Sequence, residues 1–140
     1  MTKKLQRMKT INSVAITLFA FAVLVGCTPK MNFVNSTIAP AATGTINVKK
    51  DKNNNYKVTV SVLNLAESKK LSPAKETYLV WMEAAGNSVK KLGQLAPRGK
   101  ALKGELTATV VDKPNEVFVT AEDNPEIEYP AGDVILTTRK

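Results

Sequence analysis

The chain has 140 residues, 44% of them hydrophobic and 23% charged, with 20 Lys+Arg against 12 Asp+Glu, one cysteine and no histidine. The missing histidine excludes the usual general base, the Ser-His and Cys-His nucleophile pairs, and most zinc and copper constellations. A single cysteine excludes an internal disulfide, so the fold must stand on packing alone.

Lys3, Lys4, Arg7 and Lys9 open the chain, and no acidic residue precedes Asp51. Ile11 to Val25 follows, apolar except for Asn12, Ser13 and Thr17. A basic segment leading into an apolar run of this length reads as a secretory signal. It is too short to span a bilayer, and Thr28-Pro29-Lys30 stops it. Leu24-Val25-Gly26-Cys27 resembles the lipobox of bacterial lipoproteins. That resemblance implies cleavage between Gly26 and Cys27, a diacylglyceryl group on the Cys27 sulfur, and acylation of the new amino terminus, with palmitate a common acyl group. The slim Gly26 suits a peptidase that cuts there. One acyl chain binds a membrane only marginally, at about 0.8 kcal/mol per buried methylene, whereas two or three hold essentially permanently. Cys27 is then an anchor with no free thiol, on a protein facing away from the cytoplasm in the cell envelope. In a diderm bacterium Thr28, standing where an Asp would signal inner-membrane retention, implies the outer membrane.

The formal charge of +8 includes the four basic residues of the leader. What remains is sorted along the chain: Cys27 to Lys113 is strongly basic, and Pro114 to Lys140 is acidic. An envelope location argues against nucleic acid as the partner, and so does the lack of aromatics interleaved with the lysines. Anionic lipid headgroups, an anionic cell-wall polymer or an envelope protein fit a basic face better. A solvated Lys-rich surface that keeps the domain soluble has the same composition.

Thr28 to Thr43 is rich in Ser, Thr, Asn, Pro and Ala and reads as a tether, with a reach of roughly 50 Å when extended. From Gly44 the pattern has period two. Ile46 and Val48 alternate with polar residues, and Asp51 to Asn55 makes a turn. Tyr56, Val58, Val60 and Val62 form the clearest strand, so the two segments make a hairpin. Tyr78 to Met82 is apolar on both parities, which predicts a central strand covered on both sides. Further strands follow over Val89 to Leu95, Leu106 to Val110, Val117 to Ala121 and Val134 to Thr138, while Leu63 to Lys75 reads as an irregular crossover. The expected organisation is a signal peptide over 1–26, a lipidated Cys and tether over 27–43, and an all-β domain over 44–140. Seven short strands, loops bearing Pro and Gly, and no helix predict a seven-stranded immunoglobulin-like β-sandwich, with a small closed barrel as the alternative.

Tyr78-Leu79-Val80-Trp81-Met82-Glu83 followed by Leu92-Gly93 resembles a strand and glycine of the extracytoplasmic domain of anti-sigma-K-factor-like proteins. Val117-Phe118-Val119-Thr120-Ala121-Glu122, then Asn124-Pro125, Pro130-Ala131-Gly132 and Val134 to Thr137, is similar to that domain's ending. The resemblance covers about Thr77 to Thr138. It implies the fold and an envelope sensing or binding role. A signal and tether stand where that family has its cytoplasmic segment and membrane helix, so sigma-factor binding is not implied.

Three places invite a chemical reading. Ser72-Pro73-Ala74-Lys75 spells S-x-x-K, but its companion motifs S-D-N and K-T-G are missing, so it reads as a chance match. Glu122, Asp123, Glu126, Glu128 and, beyond them, Asp133 offer oxygen ligands for calcium, although no D-x-D-x-D-G spacing exists and Pro125 and Pro130 restrict convergence. Trp81 reads as a core anchor, with ligand stacking as the alternative. The expectation is a non-catalytic, membrane-anchored protein without a cofactor, whose domain binds an envelope protein or polymer or serves structurally. A calcium-binding or accessory role for the acidic loop 122–133 is the alternative.

Overall fold

A computed structural model describes residues 30–140; the leader, Gly26 and Cys27 lie outside the described residues. Eight strands occupy this span: β1 Lys30–Asn32, β2 Thr43–Lys50, β3 Tyr56–Leu63, β4 Thr77–Ala84, β5 Ser88–Leu95, β6 Gly104–Val110, β7 Glu116–Glu122 and β8 Asp133–Thr137. They form two antiparallel four-stranded sheets, ordered β1-β2-β3-β6 and β5-β4-β7-β8. The molecule is a β-sandwich, and the two sheets remain separate, which removes the closed barrel. All seven expected strands are present, and β1 is an eighth that alternation did not reveal.

The period-two residues do what their spacing dictates. Ile46 and Val48 of β2 and Val58, Val60 and Val62 of β3 point between the sheets and are buried. Tyr78, Val80, Met82 and Ala84 of β4, with Val117, Val119 and Ala121 of β7, meet them from the other side. Burying a side chain of this size contributes about 1.5–3 kcal/mol, and in the absence of a disulfide that packing carries the fold. The 64–76 crossover between β3 and β4 holds only a 3-10 turn, Ser68–Lys70, and is pinned by the fully buried Leu65.

The tether expectation needs correction from Lys30 onward. Met31 pairs with Ile46, and both flanking residues continue the register, Lys30 opposite Asn47 and Asn32 opposite Thr45. The Phe33 amide then donates to the Gly44 carbonyl at 3.1 Å, and the Val34 amide donates to Thr137 of the other sheet at 2.8 Å. Met31 and Phe33 pack against the core. This segment therefore bridges the edges of both sheets, although its composition is that of a linker. Two residues alone, Thr28 and Pro29, separate Cys27 from Lys30.

Where β4 meets β5 the register slips between Val80 and Trp81, so that Val80 faces Gly93 and Trp81 faces Lys91. Gly93 sits at φ 151°, and a Cβ there would lie 3.1 Å from Leu106 Cδ1. A β-bulge that needs an unusual φ and a close approach selects glycine.

The Tyr78 hydroxyl donates to the Ala66 carbonyl at 2.8 Å, tying the crossover to β4. Burial disfavours its phenolate and pushes its pKa up to about 12. A folded-state pKa above the ordinary 10 means that this group's contribution is intact below pH 10 and is lost as the pH rises toward 12. Tyr78→Phe should cost about 1 kcal/mol in urea unfolding at pH 7. It should also lose less stability between pH 10 and 12 than the parent does.

Candidate functional site

β4 buries both of its faces, as its sequence predicts. The face away from the sandwich core carries a second apolar cluster, Leu79, Trp81 and Phe118, with Val89 and Ile127 against it. Trp81 is fully buried and its Nε1–H donates to Thr120 Oγ1 at 2.8 Å. The Thr120 hydroxyl donates to Glu122 Oε1 at 2.6 Å, and the Ala131 amide donates to the same oxygen at 3.1 Å. Trp81, Thr120 and Glu122 are all buried, and the indole N–H, the hydroxyl and Glu122 Oε1 each have a partner, as buried polar groups require. The ammonium of Lys91 donates to the carbonyls of Pro125 and Ile127 at 3.0 and 2.9 Å, clipping the 123–132 loop over the cluster. Gly132 closes the loop against β7: a Cβ there would stand 1.9 Å from the Ala121 carbonyl oxygen.

The acidic candidates are thereby dispersed. Glu122 turns inward to Thr120 and Ala131, while Asp123 turns out to Lys75, with Nζ to Oδ2 at 2.7 Å. Glu126 and Glu128 are exposed on the loop, and Asp133 is exposed at the start of β8. Among the described residues, no three acidic, histidine or cysteine side chains converge on a point that would hold a metal. A calcium role for this loop loses its geometric basis, because its innermost carboxylate is already committed to the Trp81 chain. Trp81, sealed beneath the loop, has no face open for stacking a ligand.

Ser72 and Lys75 lie in the 64–76 crossover. The bond to Asp123 is the main cause that raises the Lys75 pKa above its ordinary value. The amine is therefore charged at neutral pH, the opposite of what a general base needs.

The first sheet presents an uncovered polar face. Lys30, Asn47, Thr59 and Thr107 stand in one cross-strand row, and Lys49, Lys57 and Thr109 in the next. The Asn47 side-chain oxygen is hidden from solvent and has no partner among the described residues; it adjoins Lys49, Lys57 and Thr59 in a pit of about 130 Å³. A wider cleft of about 510 Å³ opens further along, lined by Asn32, Phe33, Thr43, Gly44, Ser61 and Lys103 among others. Sequence reasoning saw Lys57, Thr59 and Ser61 as the outward half of one strand. It had no means of placing Lys49 opposite Lys57, or Lys30 beside both, because that juxtaposition is set by inter-strand register and by the unforeseen β1.

Among the described residues no helix is long and apolar enough to cross a membrane. No protein-family model, curated protein or solved structure matches this chain.

Three outcomes test this geometry. Thr120→Val strands the Trp81 indole N–H and removes one donor from the Glu122 carboxylate, and should cost about 2 kcal/mol in chemical denaturation. Gly132→Ala should destabilise by at least as much, since its methyl meets backbone. Millimolar calcium should leave the melting temperature of the parent protein unchanged in calorimetry, because a ligand bound only by the folded state would raise it.

Proposed function

We propose that this chain is a lipid-anchored protein of the bacterial cell envelope, in which Cys27 carries the anchor and the sandwich is a non-catalytic binding or structural domain. One observation carries the reading. A basic segment, an apolar run and Leu24-Val25-Gly26-Cys27 follow one another in the order a lipoprotein signal requires, directly ahead of a folded extracytoplasmic-type domain. The two sheets, with the chain crossing between them at β3–β4, β5–β6 and β6–β7, support an immunoglobulin-like type. The quoted motifs that resemble the anti-sigma-K-factor-like extracytoplasmic domain fall mostly on β4, β5, β7 and β8, which together make the second sheet.

Binding rather than catalysis is the role that the side chains support. The one buried carboxylate with partners on the second sheet is structural, and the S-x-x-K lysine is held charged by Asp123. The uncovered face of the first sheet offers lysines, threonines and asparagine to an anionic polymer or an envelope protein.

The native protein should be isolated with Cys27 as its first residue, carrying diacylglyceryl and acyl mass, and should enter the detergent phase on partitioning. Cys27→Ser should stay unacylated and remain uncut at Gly26. A native polypeptide that begins at Met1, or that stays in the aqueous phase, overturns this reading.

A further inference from the structure

We propose that the end of the sandwich bearing the β2–β3 turn is a membrane-docking end, which lies against an anionic phospholipid surface and holds the domain end-on against the bilayer that anchors Cys27. This rests on the anchor reading above and adds to it an orientation and a lipid class.

The first argument is reach. β1 runs antiparallel to β2, with Lys30 opposite Asn47 and Asn32 opposite Thr45, so the chain arrives at the sheet from the side of the 51–55 turn. Three residues from Cys27 to Lys30 span at most about 10 Å. The eight residues of β2 alone run about 26 Å. An anchored domain on so short a leash cannot stand away from the headgroups, and the part beside them is the part where β1 begins.

The second argument is charge. Lys30, Lys49 and Lys57 share the uncovered face at this end, and Lys50 and Lys52 flank or enter the turn. None of these five has an acidic partner within ion-pair distance among the described residues, whereas Lys69, Lys70, Lys75, Lys90 and Lys103 each do. Lys49 stands directly opposite Lys57, a like-charge pair that costs stability unless anions share it. Asp51, the acid of the turn, spends its Oδ1 on the amides of Asn53 and Asn55.

The third is an apolar tip. Val111, 73% exposed, follows Val110, which pairs with Tyr56 at the foot of the same turn. An exposed apolar residue among lysines has the composition of a surface that binds headgroups and inserts slightly below them. At the opposite end Tyr129 is equally exposed, but it stands in the 123–132 loop with Glu126 and Glu128, which an anionic surface repels.

An acylated Cys27 leaves an introduced cysteine as the only free thiol, which makes the orientation measurable. The lipidated full-length product with Val111→Cys or Tyr129→Cys is labelled with a fluorophore and reconstituted into vesicles. One set is phosphatidylcholine alone; the other is phosphatidylcholine with phosphatidylglycerol, and both contain lipids brominated near the headgroup as quenchers. The probe at 111 should be quenched in the phosphatidylglycerol vesicles and the probe at 129 should not. Molar salt, or Lys49→Gln with Lys57→Gln, should lower the docked-to-free ratio about tenfold or more. Equal quenching at both positions overturns the docking. So does a signal at 111 that ignores phosphatidylglycerol and salt, or one that soluble polyphosphate abolishes at a concentration far below that of the lipid, which would make a polymer the partner. Detergent partitioning of the same preparation separates the two readings. A protein that enters the detergent phase but shows no difference between its ends refutes the docking alone, and one that stays aqueous refutes the anchor and the docking with it.

Discussion

The constraint on which this structure depends is that β4 has no solvent side. One face packs into the inter-sheet core through Tyr78, Val80, Met82 and Ala84, and the other presents Leu79 and Trp81. A strand in the middle of an antiparallel sandwich ordinarily needs covering on one face only. Here an indole and two further large side chains must be kept dry on the outer face too, and no third layer of secondary structure is available. The chain solves this with a loop. Residues 123–132 fold back over the cluster, and their attachment is polar: Glu122 holds the Ala131 amide, while Lys91 holds two loop carbonyls. The loop is thus part of the hydrophobic architecture, and its acidic residues sit where that architecture leaves them.

From this follows a division of labour between the two sheets. The central strands of the second sheet, β4 and β7, are covered on both faces, so their polar groups are consumed in holding them together. The Trp81–Thr120–Glu122 chain is the clearest case, because the indole N–H can only donate, so the Thr120 oxygen accepts from it while its O–H donates to the carboxylate. The first sheet is covered on its inner face alone, and its outer rows of Lys, Thr, Asn and Ser remain available. The sorting of charge along the sequence also becomes a sorting in space. The strand ends that flank the turn after β2 are basic, with Lys49, Lys50 and Lys57, and the loop after β7, at the far end of the strands, is acidic.

The strands were legible because their alternation is strong. Val58, Val60 and Val62 against Lys57, Thr59 and Ser61 leave no other reading, and the run Tyr78 to Met82 announced a strand buried on both faces before any packing was known. β1 was illegible for a physical reason. Three residues, Lys30-Met31-Asn32, carry no period, and the segment up to Thr43 has the Ser, Asn, Pro and Ala content of a linker. What orders it is tertiary: the free edge of β2 offers unpaired backbone groups, and Met31 and Phe33 find apolar neighbours. The acidic loop misled in the converse way. A run of carboxylates looks the same whether it converges on a cation or is spread by a loop that closes over tryptophan. The difference lies in Gly132 and Lys91, distant in sequence from one another.

In the proposed lipid-anchored form, the short edge strand also changes how the anchor would relate to the domain. Were residues 28–43 free, a bilayer-bound Cys27 and the sandwich would be mechanically independent, with up to about 50 Å of slack between them. With β1 paired, force applied at Cys27 reaches Lys30 within three residues and passes into β2 across the β1–β2 ladder, then into β8 through the Val34 to Thr137 bond. Both sheets are engaged by the same few residues. A strand of three residues is a weak element by itself, since it pairs with one neighbour and buries little. Its placement at an edge nonetheless caps a ladder that would otherwise invite pairing with another chain. In an anchored protein, protection of that edge and proximity to the membrane would thus come from one segment, and loss of β1 pairing would release both together: the sandwich would regain its slack in the same step that exposes the free edge of β2.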